Sequence, residues 1–591
     1  MYWRLFLKPY LMHKFYLPLL LLFTPGFISS AQDHDNVWLM GDQGGSYSAN
    51  DTTFGITMLR FPNGDIQTEN NQQIEMWFSV TNTSISNIKG DLLFYFNGIY
   101  IEDASYQTME NGEELNEFKL TGYDLPQGGL ILPLPNDSQI YYLFHSEEGH
   151  VKIPDWGPEV VGLYYSIIDM EKNNGLGGVV LKKEPLIIDT LEYGKITATK
   201  HANGRDWWLL MNESHTNRFY QILFDKDGVQ VVGNQEIGMD NVEGLGQAVF
   251  SPDGNYYVMF NTVDLQLGQF IEIYDFDRCT GNLSNHRRIQ YDEDAYSGGA
   301  AISPNSRFLY IPSNSFMYQY DLWADDIEAS RATVAVYDGY LAPFPTTFFL
   351  AQLAPDNKIY ISCSNGVNVL HVIHNPDEKG LACNVEQHGL HLPTYNGSSI
   401  PNFPNYRLGP LDGSPCDTLG LDNMPVAKFR YEQDTLDYLQ VEFTDLSYYG
   451  PAEWHWDFGD NTTSQETDPV HVFPQSGTYE VCLTVSNVNG ENTFCRTLSL
   501  GTVSSSEEAE AVDINVFPNP CREGVNVIIS DYLPREAKVV LYDAVGQRCK
   551  VQSVQTGWNT LQLDGLRAGV YFYEIWEQDV LLKTGKLVKV E

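Results

Sequence analysis

Apolar residues in this chain recur at alternate positions in short runs, and Gly, Pro, Asn and Asp break the runs. That period of two predicts strands with one buried face, and no long stretch carries apolar residues at helical spacing. Four segments repeat one plan. The first has a run at 196–198, the turn Asn203-Gly204, then runs at 207–211 and 219–225. The second has 248–250, the turn Ser251-Pro252-Asp253-Gly254, then 256–260 and 271–275. The third has 301–302, Ser303-Pro304-Asn305-Ser306, then 308–311 and 317–321. The fourth has 352–353, Ala354-Pro355-Asp356-Asn357, then 359–362 and 367–373. The turns fall at 203, 253, 305 and 356, in steps of about fifty residues. Pro presets the first turn angle, and Asp, Asn and Gly tolerate the positions that follow.

One such unit cannot bury both faces of its small sheet, so neighbours must stack. Units of this period suit a β-propeller. Weaker copies precede them, at 76–81, 87–90 and 92–96, then at 130–135, Asn136-Asp137, 140–144 and 163–170. A propeller over 32–412 accommodates roughly seven blades, with six or eight also fitting. A closing strand is expected from 400–408, paired with the chain start near 37–41.

The repeat stops in a Gly, Asp and Pro-rich linker at 411–423, and a new alternation begins at Pro425. It leads to Trp456-Asp457-Phe458-Gly459-Asp460 and later to Gly477-Thr478-Tyr479. This segment, 425–502, resembles a PKD (polycystic-kidney-disease) domain, which implies an immunoglobulin-like β-sandwich. Trp456 and Phe458 would share one face of their strand and Asp457 the other. Asp457 and Asp460 read better as turn caps than as a catalytic carboxylate pair. Tyr479, Val481, Leu483 and Val485 form a core stripe, so Cys482 lies on the opposite face. Cys495 falls on the next strand, which makes Cys482–Cys495 the disulfide candidate.

A short Ser, Glu and Ala linker, 503–513, precedes 514–591. There Pro518-Asn519-Pro520, Gly546, Gly569, Tyr571 and Lys586-Leu587-Val588 stand in an order that resembles the type A C-terminal sorting domain of the type IX secretion system. The resemblance implies a second immunoglobulin-like sandwich that the secretion machinery recognises. It also implies removal of that domain, followed by anchoring to surface lipopolysaccharide or release. Most of these residues also have a structural reading, Gly for turns and Tyr571 for the core. The propeller region 36–412 resembles secreted propellers of Bacteroidetes-type bacteria. The matching stretches include 141–144, 162–170, Asn174-Gly175-Leu176-Gly177, 201–208, and Tyr274-Asp275-Phe276-Asp277 with Thr280-Gly281. That likeness implies fold and compartment and carries no activity.

Composition adds to this picture. Aromatic residues make up 13% of the 591, with 36 Tyr, which favours strands. The net charge of −42 repels phosphate backbones, so nucleic acid is excluded as a partner. Arg4, Lys8 and Lys14 precede an apolar run at 15–23 and the small residues Ser29, Ser30 and Ala31. That order reads as a signal peptide over 1–31, too short to span a membrane, and no transmembrane segment is expected in the mature chain. The eight cysteines include no Cys-x-x-Cys pair, so zinc and redox motifs lack their spacing.

No nucleophile elbow, zinc-protease helix, P-loop or dinucleotide fingerprint occurs, so no catalytic, metal or cofactor residues are assigned. His371 with His374, and His388 with His391, are three apart; on strands such neighbours point to opposite faces and cannot jointly chelate. Asp225-Lys226-Asp227-Gly228, Asp275-Phe276-Asp277 and Asp292-Glu293-Asp294 hint at calcium as a structural ion, though none supplies a full ligand loop. Trp207, Trp208 and Trp323 could stack on sugars, but core filling is the commoner fate of such residues. The expectation is a secreted or surface binding protein, more a binder than an enzyme, with a glycan or protein ligand. The propeller would be its platform and the PKD domain a spacer or adhesive module. A glycan-active hydrolase or lyase with its site in the central channel is the alternative, because residues from several blades can converge there without a linear motif.

Overall fold

The computed structural model describes residues 32–42, 53–117, 119, 121–153, 157–240, 244–262, 269–291, 297–434 and 437–500. Towards the C-terminus it describes 514–517, 521–522, 524–529, 537–543, 548–555, 557–563, 566–567, 569–577 and 580–590. The expected signal peptide lies outside these residues. The chain is all-β. It divides into two compact units, one reaching Leu498 and one starting at Ser499.

Seven antiparallel sheets span Val37 to Asn396 among the described residues, five of four strands and two of three. Each is a meander. In the fourth, Thr197–Lys200, Trp207–Asn212, Arg218–Asp225 and Gly228–Glu236 pair in sequence order, with Thr197 opposite Leu210 and Trp207 opposite Phe224. All six residues of Trp207–Asn212 are buried, because neighbouring sheets cover both faces of a middle strand. Hydrogen bonds cross from sheet to sheet: Trp208 Nε1 donates to the Arg278 carbonyl at 2.9 Å, and the Tyr310 hydroxyl to the Pro376 carbonyl at 2.7 Å. This is a β-propeller, and aromatic and aliphatic side chains between the blades form its core.

Two strand expectations fail. Met76 and Phe78 are buried but take no strand; the strand of that sheet is Thr83–Ser86. Segment 400–408 forms no closing strand either. The first strand, Val37–Asp42, pairs with Gly55–Arg60 instead. The ring closes where the last propeller strand meets the first sheet, with the Tyr395 N–H donating to the Thr53 carbonyl at 2.9 Å and the Thr57 and Thr394 hydroxyls 2.7 Å apart.

The PKD segment packs Phe429–Gln433, Gln440–Asp445 and Val470–Val472 against Thr463–Ser464, Glu453–Asp457, Gly477–Asn487 and Gly490–Leu500. Trp456 and Phe458 are buried on one face, rings stacked with 10° between planes. Cys482 and Cys495 are disulfide-bonded across adjacent strands, and a second disulfide joins Cys279 to Cys416. The C-terminal unit is another sandwich. One sheet holds Ile514–Phe517, Gly524–Ile529 and Gly557–Gln562; the other holds Arg548–Val554, Ala537–Asp543, Gly569–Glu577 and Val580–Lys589.

Candidate functional site: a cavity between the propeller and the PKD domain

The propeller turns singled out by the fifty-residue step all use one backbone device. Gly204, Gly254, Ser306 and Asn357 hold corresponding turn positions with φ of 75°, 75°, 63° and 61°. Gly, Asn and other small polar residues tolerate this left-handed region best. Side chains brace the turns: Ser251 Oγ donates to Asp253 Oδ1 at 2.5 Å, and Ser303 Oγ to Asn305 Oδ1 at 2.7 Å. These turns ring one mouth of the central channel.

The channel is threaded by the chain itself. Asn402 donates through Nδ2 to the Gly129 and Ile196 carbonyls, both at 2.9 Å, and its N–H donates to the Asn82 carbonyl at 2.9 Å. Asn405 donates to the Pro252 carbonyl at 2.8 Å and the Tyr406 hydroxyl to the Ile131 carbonyl at 2.7 Å. Residues of one short segment therefore reach inner-strand carbonyls of several sheets, as an axle would. Arg278 binds the far end of that segment at the Gly409 carbonyl, 2.5 Å away, and burial pushes its guanidinium down to about 10.

The PKD domain sits over this mouth. Its loop 446–450 leaves the strand Gln440–Asp445 and is pinned to the domain's first residues: the Leu446 N–H donates to the Lys428 carbonyl at 2.9 Å, and the Tyr448 N–H to the Val426 carbonyl at 3.0 Å. Tyr449 and Gly450, with φ of 65° and 61°, reverse the loop. Leu446 packs onto Gly64 of the first propeller sheet, where a Cβ would collide with it. Basic PKD residues meet propeller acceptors. Lys428 Nζ lies 3.1 Å from Asp33 Oδ1, Arg430 Nε donates to the Asp356 carbonyl at 3.0 Å, and Arg496 pairs with Asp65. Lys358 of the propeller lies 2.7 Å from Glu432. The half-exposed pairs contribute little, ~0–1 kcal/mol each.

Between turns, axle and loop lies a cavity of ≈ 530 Å³, within the range of small-molecule sites. Phe250, Phe403, Tyr448 and Tyr449 give it apolar surface; Asn305, Asn357 and Arg407 add polar groups. Arg407 forms a bidentate pair with Asp35 and lies 5.2 Å from the Tyr448 ring. Burial opposes its charge, but Asp35 and Asp33 hold its pKa above the ordinary value. Arg407 Nε and the Tyr448 hydroxyl are both buried without a hydrogen-bond partner among the described residues. An orphaned buried donor costs free energy unless something fills the space beside it.

The residues singled out from the sequence distribute elsewhere. Asp457 accepts from the Gly459 N–H at 3.0 Å, and Asp460 accepts from the Thr462 N–H at 2.9 Å and contacts His471 at 2.8 Å. Both cap the turn. Gly459, at φ 74°, has no room for a Cβ beneath the Glu480 carbonyl, whereas Gly477 faces only ordinary contacts. The buried Tyr479 donates to the Gln475 carbonyl at 2.8 Å. In the C-terminal sandwich, Tyr571 is buried opposite Leu587 and donates to the Arg567 carbonyl at 2.8 Å. Gly569 opens its strand, Lys586 is exposed, and the Val588 carbonyl accepts the Cys521 N–H at 2.9 Å. Pro518, Asn519, Pro520 and Gly546 lie outside the described residues, as do Asp292, Glu293 and Asp294.

Trp207 and Trp208 are buried and Trp323 is exposed. Asp225 and Gly228 close a hairpin, and Asp277 caps a turn by accepting the Cys279 N–H. His371 Nε2 lies 2.9 Å from the Thr346 carbonyl, and no contact with His374 occurs among the described residues. His371 packs 5.6 Å from His388, one member of each suspected pair, and burial holds it down to about 3. Among the described residues no group of three or more His, Cys, Asp or Glu could hold a metal ion. The sequence passes over Tyr448, and it presents the axle, Arg407 included, as a closing strand. Pro401 and Pro404, flanking Asn402, were the available signal, since proline supplies no ladder donor.

The fold defines a multi-domain all-β protein. Residues 423–500 match the PKD domain, and residues 515–590 match the secretion system C-terminal sorting domain. The sorting domain marks the chain for the type IX machinery and for the cell surface or the medium. No helix among the described residues is long and apolar enough to cross a membrane. Collagenase ColQ1 of Bacillus cereus (strain Q1) is 36% identical over 78 residues, which span 13% of this chain and 8% of that protein. The PKD1 domain of the Vibrio cholerae metalloprotease PrtV is 30% identical, covering 13% of this chain and 99% of that one, with a TM-score of 0.13. A functionally unknown protein from Desulfotomaculum acetoxidans DSM 771 is 15% identical over 62% of this chain and 99% of its own, with a TM-score of 0.33. A protein from Lactobacillus plantarum is 12% identical over 62% and 98%, with a TM-score of 0.36.

Proposed function

We propose that this protein is an extracellular binding protein whose ligand site is the cavity between the propeller mouth and the PKD loop 446–450. The PKD domain is then a wall of the site rather than a mere spacer. One observation carries the reading: two residues contributed by different domains, Arg407 and Tyr448, line the same cavity, and each holds a buried polar atom, Nε and the hydroxyl, that lacks a protein partner. The alternative, a glycan hydrolase or lyase working inside the channel, is disfavoured by the axle. Asn402, Asn405 and Tyr406 fill that space and direct their hydrogen bonds to backbone carbonyls. After the sorting domain is removed, the mature protein is anchored to surface lipopolysaccharide or released, on the strength of the sorting-domain match.

The test is an array of immobilised glycans and peptides probed with the exported protein and with Pro304→Trp, which places an indole at the cavity rim. Pro304 precedes the turn's left-handed residue, where many residue types fit. A ligand held by the native protein and lost by a Pro304→Trp variant that still melts cooperatively supports the site. A ligand retained by that variant at full affinity overturns it.

A further inference from the structure

We infer that the cavity takes a neutral, polyhydroxylated ligand, a short uncharged oligosaccharide, and this rests on the binding reading above. The charged residues lining the cavity are Asp35, Asp253 and Arg407. Arg407 is taken up by Asp35 on two oxygens, with Asp33 at 3.4 Å. Asp33 also faces Lys428 at 3.1 Å. Asp253 spends its carboxylate on its own turn, accepting from Ser251 Oγ and from the Asn255 N–H at 3.0 Å, and Arg278 reaches the carbonyl of the same residue at 3.5 Å. Asp35 and Arg407 therefore neutralise each other at the wall, and the Asp253 carboxylate is occupied by its own turn. An anionic ligand would meet the Asp35 and Asp253 carboxylates, and a cationic one the Arg407 guanidinium, and neither would find an unspent charge to offset its desolvation.

The groups left over are of another kind. The Tyr448 hydroxyl both donates and accepts, Arg407 Nε–H donates, and the carboxamide of Asn357 offers two donors and an acceptor. The Tyr448 and Arg407 atoms are buried and unpartnered, and no hydrogen bond of the Asn357 side chain occurs among the described residues. Asn357 is aimed by its turn, whose N–H bonds the Ala354 carbonyl at 3.0 Å. Amides and hydroxyls dispersed among the rings of Phe250, Phe403, Tyr448 and Tyr449 suit a molecule that alternates hydroxyl edges with C–H faces. A sugar ring has that character. A phosphate, a fatty chain or a charged peptide does not.

The experiment is titration calorimetry on the full exported chain at neutral pH. The probes are maltotriose, xylotriose and chitotriose as neutral sugars, a heparin tetrasaccharide as the anionic probe and trilysine as the cationic one. The expected result is binding of at least one neutral trisaccharide and neither charged probe. Tyr448→Phe, which deletes one hydroxyl, should weaken that binding about tenfold, the worth of one buried hydrogen bond. Asn357→Gly keeps the left-handed turn while removing the carboxamide, and should do the same. Exposed Trp323→Ala should leave the affinity unchanged. Tighter binding of heparin or trilysine, weakened by Tyr448→Phe, overturns the ligand class and leaves the cavity as a site. A neutral sugar that binds equally to native protein, Tyr448→Phe and Pro304→Trp overturns the site itself, and binding of no probe overturns the ligand class.

Discussion

The chain carries two immunoglobulin-like sandwiches with the same division into a three-stranded and a four-stranded sheet, yet they stand in different relations to the rest. The PKD sandwich is continuous with the propeller in one compact unit, clamped through Lys428, Arg430 and Arg496 and closed by a disulfide. The sorting sandwich is a compact unit of its own with a separate core around Val527, Leu541, Ile575 and Leu587. One architecture thus serves two ends. A sandwich that contributes to a ligand site is tied to its neighbour by buried and charged contacts. A sandwich that acts as an address for the secretion machinery has a core of its own.

The sharpest way to break that comparison is to delete 514–591. Surface or extracellular protein should fall to background, with the truncated chain held in the periplasm, as measured by fractionation and protease accessibility on intact cells. Appearance of the truncated chain at the surface would end the claim that this sandwich is the address. The next largest effect concerns independence. Trp456→Ala leaves a large cavity in the PKD core and should destabilise the first unit by about 3–5 kcal/mol. Leu541→Ala should cost the second unit about 2–5 kcal/mol. Calorimetry should resolve two transitions, each variant lowering only its own. A Leu541→Ala variant that lowers both would mean the sorting sandwich is not separable.

How much of this was legible depends on whether a feature is local. The turn step was legible because Gly254, Ser306 and Asn357 sit at left-handed positions that few residues tolerate, three residues after a Ser or Ala that receives the turn hydrogen bond. The PKD motif was legible because Trp456 and Phe458 alternate with a turn cap. The strand Thr83–Ser86 was missed because its polar residues are buried. The Ser84 hydroxyl donates to the Val37 carbonyl at 2.7 Å and the Thr83 hydroxyl to the Asn402 carbonyl at 3.3 Å, so inner-strand hydroxyls replace apolar groups where sheets converge. The axle was misread as a strand because Ile400, Phe403 and Tyr406 are apolar and buried. Burial came from the channel walls on all sides, not from a sheet face. The cavity was illegible in principle: Asp35 and Arg407 are 372 positions apart, and their pairing exists only once the ring has closed.

The smallest effect comes from the buried histidines of the first unit. Burial holds His34 down to about 4, against a Ser86 carbonyl 2.7 Å from Nδ1 that raises it, and holds His145 and His371 down to about 3. In the unfolded chain these imidazoles take up a proton near pH 6.5. Between that pH and the folded values the unfolded state binds more protons, so stability is lost as pH falls. For His34 the loss runs from pH 6.5 to about 4, at about 1.4 kcal/mol per pH unit. Carboxyls with raised values act oppositely: Glu102 is pushed up to about 7 and Asp377 up to about 6, and desolvation also raises Glu148, Asp356, Asp445 and Asp468, each adding stability as pH falls through its folded value. They offset part of the histidine effect. The C-terminal unit contains no histidine at all, so the histidine contribution between pH 6.5 and 4 falls on the first calorimetric transition alone. In His34→Asn, which keeps a donor near the Ser86 carbonyl but cannot titrate, the first transition should fall less steeply over that window. Equal slopes for native protein and His34→Asn would show that His34 is solvated, and with it that the propeller's start is not sealed against Tyr406 of the axle as the 5.2 Å ring contact requires.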